Sequence, residues 1–201
     1  MIIPFINLDR SISRVLNEWG AREIFLVKVL SEYLVFAVIA LSLLWLLYRV
    51  YQRNAPIVVF RHFVKDLLLQ GTTLLVIPVG VATAFSEVIS RFYVRQRPFA
   101  VMSDIKLLVP HSADGGMPSH HMVFMASAAL MVYHFSKKLG ILLIILSLIS
   151  GIARISAGIH YPSDVLAGAL IGGVLAITYV RTILSSGNNL PILRQGYEKN
   201  P

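Results

Sequence analysis

The chain contains no cysteine, which excludes disulfide bridges, thiolate metal sites and cysteine nucleophiles from the outset. Charge is scarce as well. Asp, Glu, Lys and Arg make up 14% of the 201 residues, against 56% hydrophobic residues, a balance too apolar for a soluble domain of this length. The opening stretch MIIPFINLDRSISRVLNEWG lacks an uninterrupted apolar core, which argues against a cleaved signal peptide. No internal repeat, low-complexity segment or mark of a second domain is visible, so residues 1–201 are expected to form a single integral-membrane domain. The net charge of +8 does not point to nucleic acid, because in membrane proteins basic residues flank the spans and meet anionic lipid head groups.

What the chain does have is long apolar runs. About 20 consecutive apolar residues cross a ~30 Å hydrocarbon core, and runs of or near that length recur over 24–51, 66–92, 121–136, 139–156 and 164–184. The fold class expected is therefore all-α, a polytopic membrane bundle of five clear spans. Residues 1–23 mix Ile2, Ile3, Phe5, Ile6, Ile12, Val15, Leu16 and Trp19 with Asp9, Arg10, Arg14 and Glu18, the pattern of an amphipathic helix lying along or partly inserted in the membrane surface. Residues 185–201 form a polar tail. Arg49, Arg53, Arg61 and Lys65, the pair Lys137-Lys138, and Arg181, Arg194 and Lys199 assign their segments to the cytoplasm by the positive-inside rule. Alternation then places the long 93–120 connection and the 154–163 loop together on the opposite face.

Those two loops hold most of the remaining polar residues: Arg91, Arg95, Arg97, Ser119, His120, His121, Arg154, His160 and Asp164. The three arginines of 91–97 run against the positive-inside bias, and binding an anion is the obvious reason for such an exception. Pro118-Ser119 and Pro162-Ser163 each precede an apolar run and read as helix starts, with Ser119 as an N-cap and Asp164 in a first turn. Two helix N-termini on one face, with Arg97 and Arg154 as forked donors, make a phosphate the expected ligand. Asp164 is close enough in sequence to accept the proton of one ring nitrogen of His160, leaving the other free to attack phosphorus. A protonated His121 would then serve the leaving oxygen, which predicts a bell-shaped pH dependence. The guanidiniums supply the positive charge, so neither metal nor cofactor is required.

Taken singly, each residue has a plainer explanation. An arginine near a span end is ordinarily a topology determinant or lipid anchor, and Pro-Ser at a helix start is common capping chemistry. His62, His111 and His134 are assigned structural roles. The functional reading rests on coincidence: two histidines, two arginines, an aspartate and two helix starts on one face.

RQRP (95–98), PSHH (118–121) and RISAGIHYPSD (154–164) together resemble the three-part signature of the type 2 phosphatidic acid phosphatase superfamily, written K-x6-R-P, P-S-G-H and S-R-x5-H-x3-D. The resemblance spans about residues 90–175. It implies a six-helix membrane bundle and a metal-independent phosphatase with His160 as nucleophile, Asp164 as its orienting partner, His121 as proton donor, and Arg97, Ser119 and Arg154 as phosphate ligands. Three positions depart from the pattern: Ser90 stands at the lysine position with Arg91 one place later, His120 replaces the glycine, and Ala153 replaces the serine. Arg91, Arg95 and His120 are secondary candidates for the same phosphate.

Within the superfamily, LLVPHSADGGMPSHH and GIARISAGIHYPSDVLAGALIGG are most similar to bacterial undecaprenyl-diphosphate phosphatases of the bacitracin-resistance type. This implies a multi-pass protein of the cell inner membrane, with an extracytoplasmic site and a lipid phosphate or diphosphate as its partner. A phosphatase of phosphatidylglycerol phosphate, phosphatidic acid or lipid A phosphate is the enzyme alternative. An anion-binding transporter is the non-enzyme alternative, although a midplane charged site or repeat symmetry is expected of one and neither is seen.

Overall fold

The computed structural model of the protein describes residues 2–54 and 60–185. The 185–201 tail and the centre of the basic 49–65 loop therefore lie almost wholly outside the described residues. All regular elements in the described residues are helical: α1 (Ile2–Arg22), α2 (Ile24–Glu32), α3 (Leu34–Asn54), α4 (Phe60–Gly71), a π-helical turn (Thr72–Val76), α5 (Ile77–Phe92), the short α6 (Pro98–Val101), α7 (His120–Phe135), α8 (Lys137–Ser156) and α9 (Pro162–Ser185).

Among the described residues, four stretches are long and apolar enough to cross a membrane: 24–52, 64–92, 137–156 and 162–183. The first joins α2 and α3 through a single non-helical residue, Tyr33, whose N–H still reaches the Val29 carbonyl. The second runs from α4 through the π turn into α5. Pro78 has no N–H for the carbonyl four residues back, and the wider π turn placed just before it lets the helix continue without a break. The remaining expected span, α7, has only 16 residues and lies at the centre of the bundle, packed on α9, α8 and α5. Its buried side chains recur on every side, including Met122, Val123, Met125, Ala128, Ala129, Met131 and Val132, as suits a helix enclosed by others.

Glycine sets the closest of these contacts. A Cβ at Gly172 would fall 2.2 Å from the Val123 carbonyl oxygen, and one at Gly168 would fall 2.5 Å from that of Ser119. Spaced four apart, the two glycines bring the α9 backbone directly against α7, the device by which membrane helices approach when no hydrophobic force drives them together. Apolar side chains such as Phe25, Phe36, Phe92 and Leu170 point outward, as expected of surface that meets lipid.

Helix α1 is amphipathic, as expected, and turns its polar side to the protein. Its polar stripe Asp9, Ser13 and Asn17, at i, i+4 and i+8, is buried, whereas Ile6, Leu8, Val15 and Trp19 are exposed. The stripe docks on the C-terminal end of α8 and the N-terminal end of α9. Asn17 donates to the carbonyls of Lys106 and Ser156 at 2.8 Å each and accepts from the Lys106 N–H. Polar groups of a membrane protein must find partners within the protein, and here α1 presents its polar side to do so.

Candidate active site

The long connection after α5 folds over the turn between α8 and α9. Phe99 and Leu108 donate their N–H groups to the carbonyls of Gly158 and Ala157, both at 3.1 Å, and the Ser119 N–H reaches the Asp164 carbonyl at 3.1 Å. Gly158 has φ +80°, and a Cβ there would lie 2.6 Å from the Lys106 carbonyl oxygen. Conformation and space both require glycine at that position. The α7 N-terminus, the α8 C-terminus, the 157–161 turn and the α9 N-terminus thus meet at one end of the bundle, beneath residues 93–119.

His160 sits in the turn, almost completely buried. Its Nδ1 lies 2.8 Å from the Gly116 carbonyl oxygen. A carbonyl only accepts, so Nδ1 carries the proton and Nε2 keeps its lone pair. Burial pushes the imidazole pKa well below its ordinary value, and Arg154 and Arg97 add to the depression against the opposing bond to Gly116. The ring is therefore neutral, in one tautomer, with Nε2 facing Arg97 Nη1 at 3.4 Å.

This arrangement corrects the expected role of Asp164. Its nearest oxygen is 3.8 Å from Nδ1, beyond hydrogen-bond range. Oδ2 instead accepts the Tyr161 N–H at 2.7 Å, and Oδ1 accepts from Arg95 Nη1 at 2.8 Å. Asp164 therefore braces the residue after His160, while the Gly116 carbonyl orients the ring. A Cβ at Gly116 would meet Arg97 Cγ at 3.2 Å and Asp164 Oδ2 at 3.5 Å, which is how the loop carbonyl comes so close.

Arg95, expected as a secondary phosphate ligand, is committed internally. It bridges Asp164 and Asp9, donates to Ser163 Oγ, and lies 3.9 Å above the Tyr161 ring. Arg97, which is buried, donates from Nη1 to the Ile159 carbonyl, from Nε and Nη2 to Asp114 Oδ1 at 3.0 and 2.9 Å, and from Nη2 to the Gly115 carbonyl. Asp114 is exposed. Partial burial pushes its carboxyl up, but the hydrogen bonds from Ser112 and Arg97 outweigh this and hold it below the usual range.

Arg154 is buried at the end of α8. Its Nη1 donates to the Ser31 carbonyl of α2 at 3.2 Å, and its Nε has no partner among the described residues. Ser119 occupies the N-cap position of α7, but its side chain makes no cap bond. Its hydroxyl is instead fully buried and has no partner among the described residues. His121, in the first turn of α7, is half-buried, with the Arg154 guanidinium as its main charged neighbour and the His160 ring nearby.

Arg91 and His120 stand apart from this group. Arg91 is largely exposed and pairs with Glu87 at 3.2 Å, and the half-exposed His120 ring lies 3.8 Å from the same carboxylate. Four residues that the sequence pattern did not single out belong to the site or brace it: Asp9, Asp114, Gly116 and His111. The His111 Nδ1 donates to the Ser112 carbonyl at 3.1 Å. Burial lowers its pKa, the Ser112 bond opposes this, and Arg97 and Arg154 are close enough to lower it further. The available signals were the polar run HSAD within the long connection and the four-residue period of Asp9, Ser13 and Asn17. Among the described residues, no three His, Asp or Glu side chains are grouped as a metal ligand set.

The profile of the PAP2 superfamily matches residues 71–187, which hold every one of these groups except Asp9 and Ser31. The chain is 35% identical over 102 residues to the bacitracin transport permease protein BcrC of Bacillus licheniformis, covering 51% of this chain and 50% of that protein. It is 30% identical over 118 residues to the undecaprenyl-diphosphatase BcrC of Bacillus subtilis (strain 168), covering 58% of each. The matched region thus spans about half the length of these curated relatives. The crystal structure of a transmembrane PAP2-type phosphatidylglycerolphosphate phosphatase from Bacillus subtilis superposes with a TM-score of 0.63 at 18% identity, over 93% of this chain and 89% of that one. At that identity the likeness establishes a shared fold.

Proposed function

The chain belongs to the PAP2 superfamily, and from that premise we propose that it is an integral-membrane lipid phosphatase that hydrolyses the terminal phosphate of undecaprenyl diphosphate through a phosphohistidine at His160. The observation that carries this reading is the state of the His160 ring: Nδ1–H is held by the Gly116 carbonyl and the unprotonated Nε2 faces Arg97 Nη1. In this mechanism Nε2 attacks the terminal phosphorus, a P–N bond forms, and the bond to the bridging oxygen breaks. His121 gives a proton to the departing lipid phosphate. Water then attacks the phosphohistidine, the P–N bond breaks, and inorganic phosphate leaves.

Arg97, Arg154 and Ser119 are the proposed ligands of the transferred phosphoryl oxygens. The buried Arg154 Nε and Ser119 Oγ, each without a partner among the described residues, support this assignment. Leaving such groups unsatisfied costs ~1–3 kcal/mol each, and an anion bound between them would remove that cost. The guanidiniums supply charge stabilisation at the equatorial oxygens.

The undecaprenyl assignment is supported by the sequence relatives, one of which is named an undecaprenyl-diphosphatase. The site is proposed to face away from the cytoplasm of the cell inner membrane. Helix α7 starts at the site and α8 starts at the other end of the bundle, so Lys137 and Lys138 lie opposite the catalytic group, as the positive-inside rule requires. The chain has no cysteine, so single Ala113→Cys and Lys138→Cys proteins report sidedness cleanly. An impermeant maleimide applied to intact cells should label the first and spare the second; the reverse pattern would place the site in the cytoplasm.

The decisive assay is phosphate release by purified protein from a panel of lipid phosphates and diphosphates with a chelator present, for wild type and His160→Ala. Undecaprenyl diphosphate is expected to be the preferred substrate and His160→Ala to be inactive. Full activity in the variant, or abolition of turnover by the chelator, would refute the mechanism. Preference for phosphatidylglycerol phosphate, phosphatidic acid or lipid A phosphate would replace the substrate while leaving the chemistry intact. A transporter would release no phosphate from any of them.

A further inference from the structure

The Asp9 carboxylate of α1 reaches into the far side of the site. Oδ1 accepts the Ser163 N–H at 2.9 Å, one of the first-turn donors of α9 that no intrahelical carbonyl can satisfy. Oδ2 accepts from the Ser163 hydroxyl and from Arg95 Nη2, the latter at 2.7 Å. Arg95 then passes the connection on, since its Nη1 donates to Asp164 Oδ1, and Asp164 Oδ2 holds the N–H of Tyr161, next to His160. Asp9 is buried, and Asp164 is fully so. Between them Arg95 is clamped by two carboxylates and stacked on the Tyr161 ring.

Removing one carboxylate would leave the guanidinium to tilt toward the other, and the geometry of Asp164 and of the 160–161 backbone would follow. In a site where a misplacement of about 1 Å costs about a hundredfold in rate, such a tilt reaches the chemistry. Resting on the reading of His160 as nucleophile, we infer that Asp9 is a positioning residue of the phosphoryl-transfer site. It acts through Arg95 and Asp164, so the N-terminal helix is a working part of the site in addition to packing against it. Asp9 lies outside the 71–187 region shared across the family, and its partner Arg95 is one of the departures from simple phosphate ligation described above.

The test uses the full chain in detergent with undecaprenyl diphosphate as substrate. It compares Asp9→Asn, Arg95→Gln, the double variant, Ser13→Ala and His160→Ala. Asp9→Asn keeps the size of the side chain but places an amide against a guanidinium. It is expected to lower kcat roughly ten- to a hundredfold with KM held within about threefold, and the double variant should be no slower than Arg95→Gln alone, because the two residues act in series. Ser13→Ala removes a buried hydroxyl from the same stripe without touching Arg95 and should keep the wild-type kcat. If Asp9→Asn does not fold, Asp9→Glu takes its place; it retains the charge on a longer stem and should show the same kcat-only loss in milder form. Wild-type kcat in the Asp9 variant, fully multiplicative effects with Arg95→Gln, or an equal loss from Ser13→Ala would overturn the inference. An active His160→Ala would instead sink the underlying reading of the site, whatever the Asp9 variants do.

Discussion

His160 Nδ1 is 2.8 Å from the Gly116 carbonyl oxygen and 3.8 Å from the nearest oxygen of Asp164. The tautomer of the proposed nucleophile is therefore held by a backbone carbonyl, which no side-chain substitution removes. Asp164→Asn retains an oxygen for the Tyr161 N–H and loses the ion pair with Arg95. It should reduce kcat roughly ten- to a hundredfold, well short of the ~10⁴ seen when a carboxylate bonded directly to a catalytic histidine is replaced. Steady-state phosphate release decides this; a loss as complete as that of His160→Ala would restore a direct His160–Asp164 relay.

The acid limb of kcat/KM reports the protonation of His160 in the free enzyme. Burial, Arg154 and Arg97 depress its pKa, so the limb should fall well below the ~6.5 of a free imidazole. Arg154→Gln removes one of the two cations and should move the limb to higher pH, apart from any change in KM. The same depression means that the folded chain binds fewer protons than the unfolded chain. The His160 contribution to stability is therefore whole above pH ~6.5 and is lost as pH falls from there through the folded-state pKa. A pH–rate profile of the two proteins tests the sign, and an acid limb that does not move would rule out the electrostatic cause.

Asp114 occupies the Nε and Nη2 edge of Arg97, the edge that a bidentate phosphate would use. A bound phosphate would displace it. Asp114→Ala should therefore tighten inhibition by inorganic phosphate about two- to fivefold, the range set by a partly exposed ion pair worth ~1 kcal/mol or less. Weaker inhibition in the variant would mean that Asp114 orients Arg97 and does not compete for it.

Gly172→Ala places a methyl 2.2 Å from the Val123 carbonyl oxygen, a rigid backbone atom. It should destabilise the protein by about 1–3 kcal/mol through overpacking and separate the helices that carry Ser119 and Asp164. Thermal unfolding in detergent should show a lower Tm together with a lower kcat. Gly80→Ala, where a Cβ meets nothing within 4 Å, is the control and should leave both at or above the wild-type level.

Hydropathy alone made the membrane bundle legible, because an uninterrupted apolar run has few other stable fates. Fixed spacings singled out Arg97, Ser119, His121, Arg154, His160 and Asp164 as the candidate set, since each motif is local and anchored to a helix end. Span counting further required that residues 93–120 and 154–163 share a face, and the hydrogen bonds from Phe99, Leu108 and Ser119 join those segments. The direction of α1 was not legible. An amphipathic pattern states that two faces differ, but in a membrane protein either face can meet protein, and here the polar one does.

Partner choice was likewise decided only in three dimensions. Asp164 is four residues from His160, and helical spacing suggested a direct bond. Yet Arg95, from 69 residues earlier, and the Tyr161 N–H take both of its oxygens, and a loop carbonyl 44 residues from His160 takes the ring proton. The sequence by itself determined which chemical groups are present and which end of the bundle they reach, because composition and span length are local properties of the chain. Only the tertiary structure decided which donor meets which acceptor, because a buried polar group bonds to whatever partner the packing brings within about 3 Å, however distant in sequence.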